Sequence, residues 1–305
     1  MRMIFMGTPE FAVPILEKLA DGHDVAAVVT QPDRPKGRGR GVTFSPVKEL
    51  ALRLGIEVLQ PEKVRDEEFI EKITALGASV FVVVAYGQIL PPRILRIPSL
   101  GCVNIHASLL PKYRGAAPMQ HVILNGETET GITIMYMDKG MDTGDMILKR
   151  TQPVGHTDRL TDLHDKMAAL SCECITEALA LIEAGTAPRV PQDHSEATYA
   201  PMLRKEDGKV DWHSPSEKIV NQVRALDPWP GTYSGALKIW VCEACADDSD
   251  AKPGEVIQSD SNLLVKTGSG ALLITELQAQ GSKRMKAADY LRGRPIPPGT
   301  ILGGE

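Results

Sequence analysis

Val80-Phe81-Val82-Val83-Val84 is an unbroken apolar run in a chain of 305 residues. A strand with one wet face alternates apolar and polar side chains, whereas a run that is apolar throughout needs cover on both faces. Met3-Ile4-Phe5-Met6 and Val25 to Val29 read the same way. Helical patterns lie between these strands. One runs through Ile15, Leu16 and Leu19, with Pro14 in its first turn. A second runs through Val47, Leu50, Leu52 and Leu54 and is opened by Ser45 as N-cap. A third holds Phe69, Ile70, Ile73 and Leu76. Strands alternating with helices predict an α/β fold, a doubly wound, mostly parallel, Rossmann-like sheet. Ligands of such sheets sit beyond the carboxyl ends of the strands.

The next strand, Cys102 to Ile105, ends in Asn104 and His106. Residues two apart on a strand share a face, so an amide and an imidazole aim at one point. The following turn, Ser108-Leu109-Leu110-Pro111, leads into Lys112-Tyr113-Arg114-Gly115 and has the composition of a loop that wraps a ligand. Thirty residues on, Met137 to Asp145 is a tight acidic loop between two strand-like runs, 130–137 and 147–154, and brings Asp142 as a candidate carboxylate. Amide, imidazole and carboxylate together suit acyl transfer to an amine. Taken alone, an N-x-H pair is equally well a satisfied polar pair at a strand end.

A long helix is expected from Asp158 to Glu183, stopping at Gly185. The stretch that follows is rich in Pro and polar residues and reads as a linker. Beyond it, short β-like runs at 237–242, 254–258, 263–266 and 271–277 predict a smaller C-terminal β-barrel, OB-like in character. The expected division is therefore 1–187 for catalysis, 188–208 as linker and 209–305 as barrel. Trp212 and Trp229 are expected to pack in the second part, because an aromatic is more often core than a stacking platform.

Bulk properties narrow the function. Net charge is -5, so contact with nucleic acid must come from local basic patches. Arg34, Lys36, Arg38 and Arg40 form one such patch. Counting Asp33, the stretch from Asp33 to Gly41 carries a net +3. Interleaved glycines let guanidinium groups approach phosphates. A solvated surface loop is the plain alternative. Lys283, Arg284, Lys286, Arg292 and Arg294 form a second cluster. No stretch approaches the roughly 20 apolar residues of a membrane span, and the N-terminus runs straight into a strand, so a cytoplasmic protein with no membrane partner is expected. The five cysteines do not form a disulfide scaffold. Cys242 and Cys245 are a lone C-x-x-C without further ligands, so no metal is expected. Gly7-Thr8-Pro9-Glu10 stands where a dinucleotide fingerprint would lie, which weakens a dehydrogenase reading.

The segment His106 to Gly115 resembles the signature of 10-formyltetrahydrofolate-dependent formyltransferases. The resemblance places Asn104, His106 and Asp142 in the catalytic cluster. It implies 10-formyltetrahydrofolate as co-substrate, held by Ser108, Leu109, Leu110 and Pro111 and by the loop of Tyr86, Gly87, Gln88, Ile89 and Leu90. Phe5 to Ala12, the basic stretch Thr30 to Gly39 and the late Lys286 to Gly293 are similar to the members that act on tRNA, so the likeness spans nearly the whole chain. It implies initiator methionyl-tRNA as partner, gripped by Arg34, Lys36, Arg38 and Arg40, with Arg38 foremost. A monomer without a stable protein partner is expected. Two other readings stay open: the same chemistry on a sugar-nucleotide or ribonucleotide amine, and an RNA-binding protein that retains the fold without the reaction.

Overall fold

A computed structural model describes residues 1–35 and 42–303. The strands of the first part are β1 (Arg2–Gly7), β2 (Asp24–Val29), β3 (Arg34–Pro35), β4 (Val42–Thr43), β5 (Val58–Leu59), β6 (Val80–Val84), β7 (Cys102–His106), β8 (Glu129–Tyr136) and β9 (Met146–Pro153). Its helices are α1 (Val13–Gly22), α2 (Pro46–Arg53), α3 (Glu67–Ala75), α4 (Pro92–Leu95), α5 (Pro118–Leu124) and α6 (Leu160–Glu183). Seven strands form one sheet in the order β5-β2-β1-β6-β7-β8-β9. Pairing is parallel from β5 to β7, and β8 and β9 add an antiparallel edge. β3 and β4 pair with each other and flank the undescribed residues.

The apolar runs explain the sheet. Ile4, Met6, Phe81 and Val83 pack on one face with Phe69, Ile73 and Ile94. Their neighbours Met3, Phe5, Val82 and Val84, pointing to the other face, are equally buried. Full burial of one such side chain contributes about 1.5–3 kcal/mol. Ser45 caps α2 as the sequence predicts, its hydroxyl accepting from the Lys48 N–H at 3.1 Å.

The C-terminal part holds α7 (Ser216–Leu226), β10 (Thr232–Ser234), β11 (Leu237–Cys245), β12 (Val256–Ser259), β13 (Leu263–Lys266), β14 (Ala271–Ala279), β15 (Met285–Lys286) and α8 (Ala287–Gly293). Its antiparallel sheet runs β10-β11-β14-β13-β12, with β15 beside β14, and among the described residues the ladder stays open between β10 and β12. Ile219 and Val223 of α7 and Leu291 of α8 join Trp212, Ile239, Val265 and Ile274 in one core. Trp212 is buried, and its indole N–H donates to Ser234 Oγ at 3.0 Å. Trp229 departs from expectation: it is 58 % exposed. It sits between Pro228 and Pro230 on the turn after α7, not on a core-facing position.

Two compact units result. One comprises Met1–Pro118, Glu129–Pro153 and His164–Pro201, the other Met119–Thr128, Val154–Leu163 and Met202–Glu305. These bounds depart from the expected 1–187, 188–208 and 209–305. The stretch read as a linker is tied down as far as Ala200. Val190 and Met146 exchange backbone hydrogen bonds at 2.9 and 3.0 Å, and Ala200 N–H donates to Arg114 O at 2.7 Å. Its prolines and polar residues mimic linker composition, but its N–H groups find partners in the first unit.

Candidate active site

β7 places Asn104 and His106 at the carboxyl end of the last parallel strand, where Val83 of β6 stands in register with Asn104. Both side chains are buried, Asn104 9 % and His106 5 % exposed. Among the described residues, none hydrogen-bonds the Asn104 carboxamide. The carboxamide is not among the fully buried polar atoms that lack a partner, so it keeps an opening to the outside two residues from an imidazole.

His106 uses both ring nitrogens. Nε2 donates to the Tyr113 carbonyl oxygen at 2.9 Å, and Nδ1 lies 3.6 Å from Asp142 Oδ2. The same Oδ2 accepts from the Gly115 N–H at 2.8 Å. Asp142 reaches this position from the β8–β9 loop with φ +54°, a left-handed conformation that Asp tolerates better than most residues. Close packing holds the loop. A Cβ on Gly144 would fall 1.8 Å from the Tyr136 carbonyl oxygen, so only glycine fits there. Asp138 Oδ1 accepts from Gly140 N–H at 2.8 Å and from the Thr143 hydroxyl at 2.6 Å.

The expected folate segments divide into framework and surface. The Ser108 hydroxyl donates to Lys112 O at 2.6 Å, Thr133 Oγ1 donates to Ser108 O at 2.7 Å, and Leu110 N–H donates back to Thr133 Oγ1 at 3.1 Å. Ser108 and Leu110 are fully buried, while Leu109 and Pro111 are half-buried. The Ser108 hydroxyl and the Leu110 backbone N–H are thus spent on shaping the loop. The loop after β6 starts at the same sheet edge. Ala85 and Gly87 have φ +45° and +92°, and Ile89 is 81 % exposed while Leu90 is buried. Gln88 braces the loop from behind, accepting from Val64 N–H at 3.2 Å and donating to Pro61 O at 3.3 Å. Among the described residues, none hydrogen-bonds the backbone of Ile89 or Leu90. The Tyr86 hydroxyl is also buried without a partner, and burial raises its pKa.

A cleft of about 510 Å³ opens at the carboxyl ends of β1 and β2, lined by Thr8, Gln31, Arg34, Phe44, Ser45 and Gly87 among others. Arg34 lines it. Lys36, Arg38 and Arg40 lie outside the described residues. In the C-terminal cluster, Arg284 pairs with Glu276 at 2.7 Å and Asp227 at 3.3 Å, and Arg292 pairs with Asp289. Lys283 and Lys286 are exposed. Sequence reasoning missed three parts of the site: the Tyr113 carbonyl, the Gly115 N–H, and Gln192, whose side chain holds the Asp142 loop. The first two belong to the quoted Tyr-Arg-Gly run, but no residue pattern marks Gln192.

A family model described as formyl transferase matches residues 1–179, and one described as formyl transferase, C-terminal domain, matches residues 202–295. The chain belongs to the formyl transferase family. This formyltransferase is 52% identical over 99% of its length to the methionyl-tRNA formyltransferase of Caldanaerobacter subterraneus, all of which is covered. It is 52% identical over its whole length to that of Desulforamulus reducens, with 98% of the relative covered. Among solved structures, an N-formyltransferase from Helicobacter canadensis in complex with folinic acid and dTDP-3-aminofucose shares the fold. The TM-score is 0.65 at 20% identity, covering 93% of this chain and 99% of that one. The described residues of this formyltransferase hold no group of three or more His, Cys, Asp or Glu fit for a metal, and no helix long and apolar enough to cross a membrane. Cys242 is a buried free thiol, pushed up to about 12 by desolvation.

Proposed function

We propose that this formyltransferase moves the formyl group of 10-formyltetrahydrofolate to the α-amine of methionyl initiator tRNA, giving N-formylmethionyl-tRNA for translation initiation. The observation that carries the reading is the convergence of His106 and Asp142 beside the unpartnered Asn104 amide. It occurs in a chain half identical, end to end, to methionyl-tRNA formyltransferases.

The residues present fit the folate co-substrate. The unpaired backbone groups of Ile89 and Leu90, beside the exposed Ile89 side chain, suit a planar heterocycle with donor and acceptor edges. Tyr86, Gly87, Gln88 and the loop from Ser108 to Pro111 would frame it, chiefly through backbone and shape. The co-substrate supplies an activated formyl carbon.

Asn104 donates its amide N–H to the formyl oxygen as negative charge develops there. One such donor is worth roughly 2.7–4 kcal/mol in the transition state. His106 has one nitrogen committed to Tyr113, so Nδ1 is the nitrogen left for chemistry. Asp142 Oδ2 is held by Gly115 and faces Nδ1, so the pair accepts the proton shed by the attacking amine and returns one to the departing nitrogen. The amine must attack neutral. With an ordinary α-amine value of about 7.7–8.0, a useful fraction is neutral near physiological pH. On the acceptor side, Arg34 with Lys36, Arg38 and Arg40 supplies charge for tRNA phosphates. A cytoplasmic monomer acting without a metal is part of the same reading.

The test is direct. Purified full-length protein, 10-formyltetrahydrofolate and charged initiator tRNA should yield N-formylmethionine. Formylation of an amino-sugar nucleotide in preference to methionyl-tRNA would assign a different acceptor. Tight tRNA binding with no transfer to any amine would overturn the enzymatic reading.

A further inference from the structure

Gln192 lies in the segment whose composition reads as linker, yet it is buried and spans two loops of the site. Its Nε2 donates to the carbonyl oxygens of Asp142 and Gly144, both at 2.9 Å. Its Oε1 accepts from Arg114 Nη2 at 2.7 Å and Nε at 3.2 Å. The amide orientation follows from chemistry, because guanidinium nitrogens only donate and peptide oxygens only accept. Arg114 is itself buried, and its Nη2 also donates to His194 Nδ1 at 3.0 Å. The surrounding strap is pinned by backbone bonds, Arg114 N–H to Thr198 O at 2.9 Å and Ala117 N–H to Ala200 O at 3.1 Å. Gly115, which binds the Asp142 carboxylate, sits against this strap with φ +118°, and a Cβ there would fall 2.7 Å from Ala200 O.

One carboxamide therefore secures the carbonyls on either side of Thr143, immediately after the left-handed residue Asp142. We infer that Gln192, oriented by Arg114, is a positioning residue that sets the Asp142 carboxylate against Gly115 and His106. The inference rests on the role given to Asp142 above. Removing the amide leaves the loop free to relax, and a misplacement of about 1 Å at a reacting group costs about a hundredfold in rate. Gln192→Glu is the sharper variant. It keeps the size and the contact to Arg114 but turns a carboxylate oxygen toward two peptide oxygens.

The experiment uses the full chain. Single-turnover formylation, KM for both substrates and an NMR titration of the His106 ring are measured in wild type, Gln192→Ala and Gln192→Glu. The expected result is a fall of about a hundredfold in the single-turnover rate, unchanged KM values and a displaced His106 titration. In an Asp142→Asn background, Gln192→Glu should add little further loss, because the two act as one unit. Loss of thermal stability with an unmoved His106 titration would make Gln192 merely structural and overturn the inference. So would full additivity with Asp142→Asn. If wild type fails to formylate methionyl-tRNA, the acceptor assignment fails, but the His106 titration still decides the role of Gln192. Should Gln192→Ala not fold, the isosteric Gln192→Glu carries the test.

Discussion

The Nε2 of His106 and the carbonyl oxygen of Tyr113 lie 2.9 Å apart. A peptide oxygen can only accept, so Nε2 carries the hydrogen and the lone pair of the neutral ring resides on Nδ1. Nδ1 faces Asp142 Oδ2 at 3.6 Å. With Nε2 committed to the backbone, Nδ1 is the ring nitrogen left to exchange a proton, and it does so facing Asp142.

This geometry sets the outcome of a nitrogen-15 titration. Across the pH range, Nε2 should keep the shift of a protonated nitrogen while Nδ1 moves. The reverse pattern would refute the tautomer.

Asn104→Ala should lower kcat by about a hundred- to a thousandfold, with formyl-folate affinity, followed by calorimetry, nearly unchanged. A comparable loss in affinity would mean that the amide holds the ground state and has no special role in the transition state.

Arg38→Ala should weaken tRNA use while leaving folate binding intact. If Arg38 meets a phosphate, the dependence of log affinity on log salt should become shallower by about 1. An unaltered slope would remove Arg38 from the contact.

Asp247 bears on stability. Lys266 Nζ lies 2.6 Å from its carboxylate, and this hydrogen bond and the Ser249 hydroxyl hold its pKa below the usual carboxylate value. A depressed carboxylate stabilises the fold above its unfolded value of about 3.9 and stops doing so as pH falls through the folded value. The melting temperature of wild type should therefore exceed that of Asp247→Asn at neutral pH, with the gap closing below about pH 4. A gap that persists into strong acid would show that packing or hydrogen bonding, not charge, underlies the difference.

The sheet was legible because burial on both faces writes itself into a strand. Val80 to Val84 has no polar position to misplace. Asn104 and His106 were legible because strand alternation fixes their common direction. The linker reading failed for the opposite reason. Val190, Gln192 and Ala200 gain order from partners 44 to 86 residues away in sequence, at Met146, Arg114 and Asp142, and no local period encodes such pairings. α7 was missed although Ile219, Val220, Val223 and Leu226 carry a helical repeat. The β runs around it dominate the pattern of that stretch. Ser108 and Leu110 show that a signature residue can serve the shape of its own loop.

Because Gln192 and the backbone from Thr198 to Ala200 brace the loops of the site, a recombination breakpoint at residue 187 would discard part of the machinery it was meant to preserve. Chimeras that exchange the C-terminal unit of such an enzyme should be joined after Pro201. A chimera joined earlier would inherit a foreign brace and have to re-evolve its own.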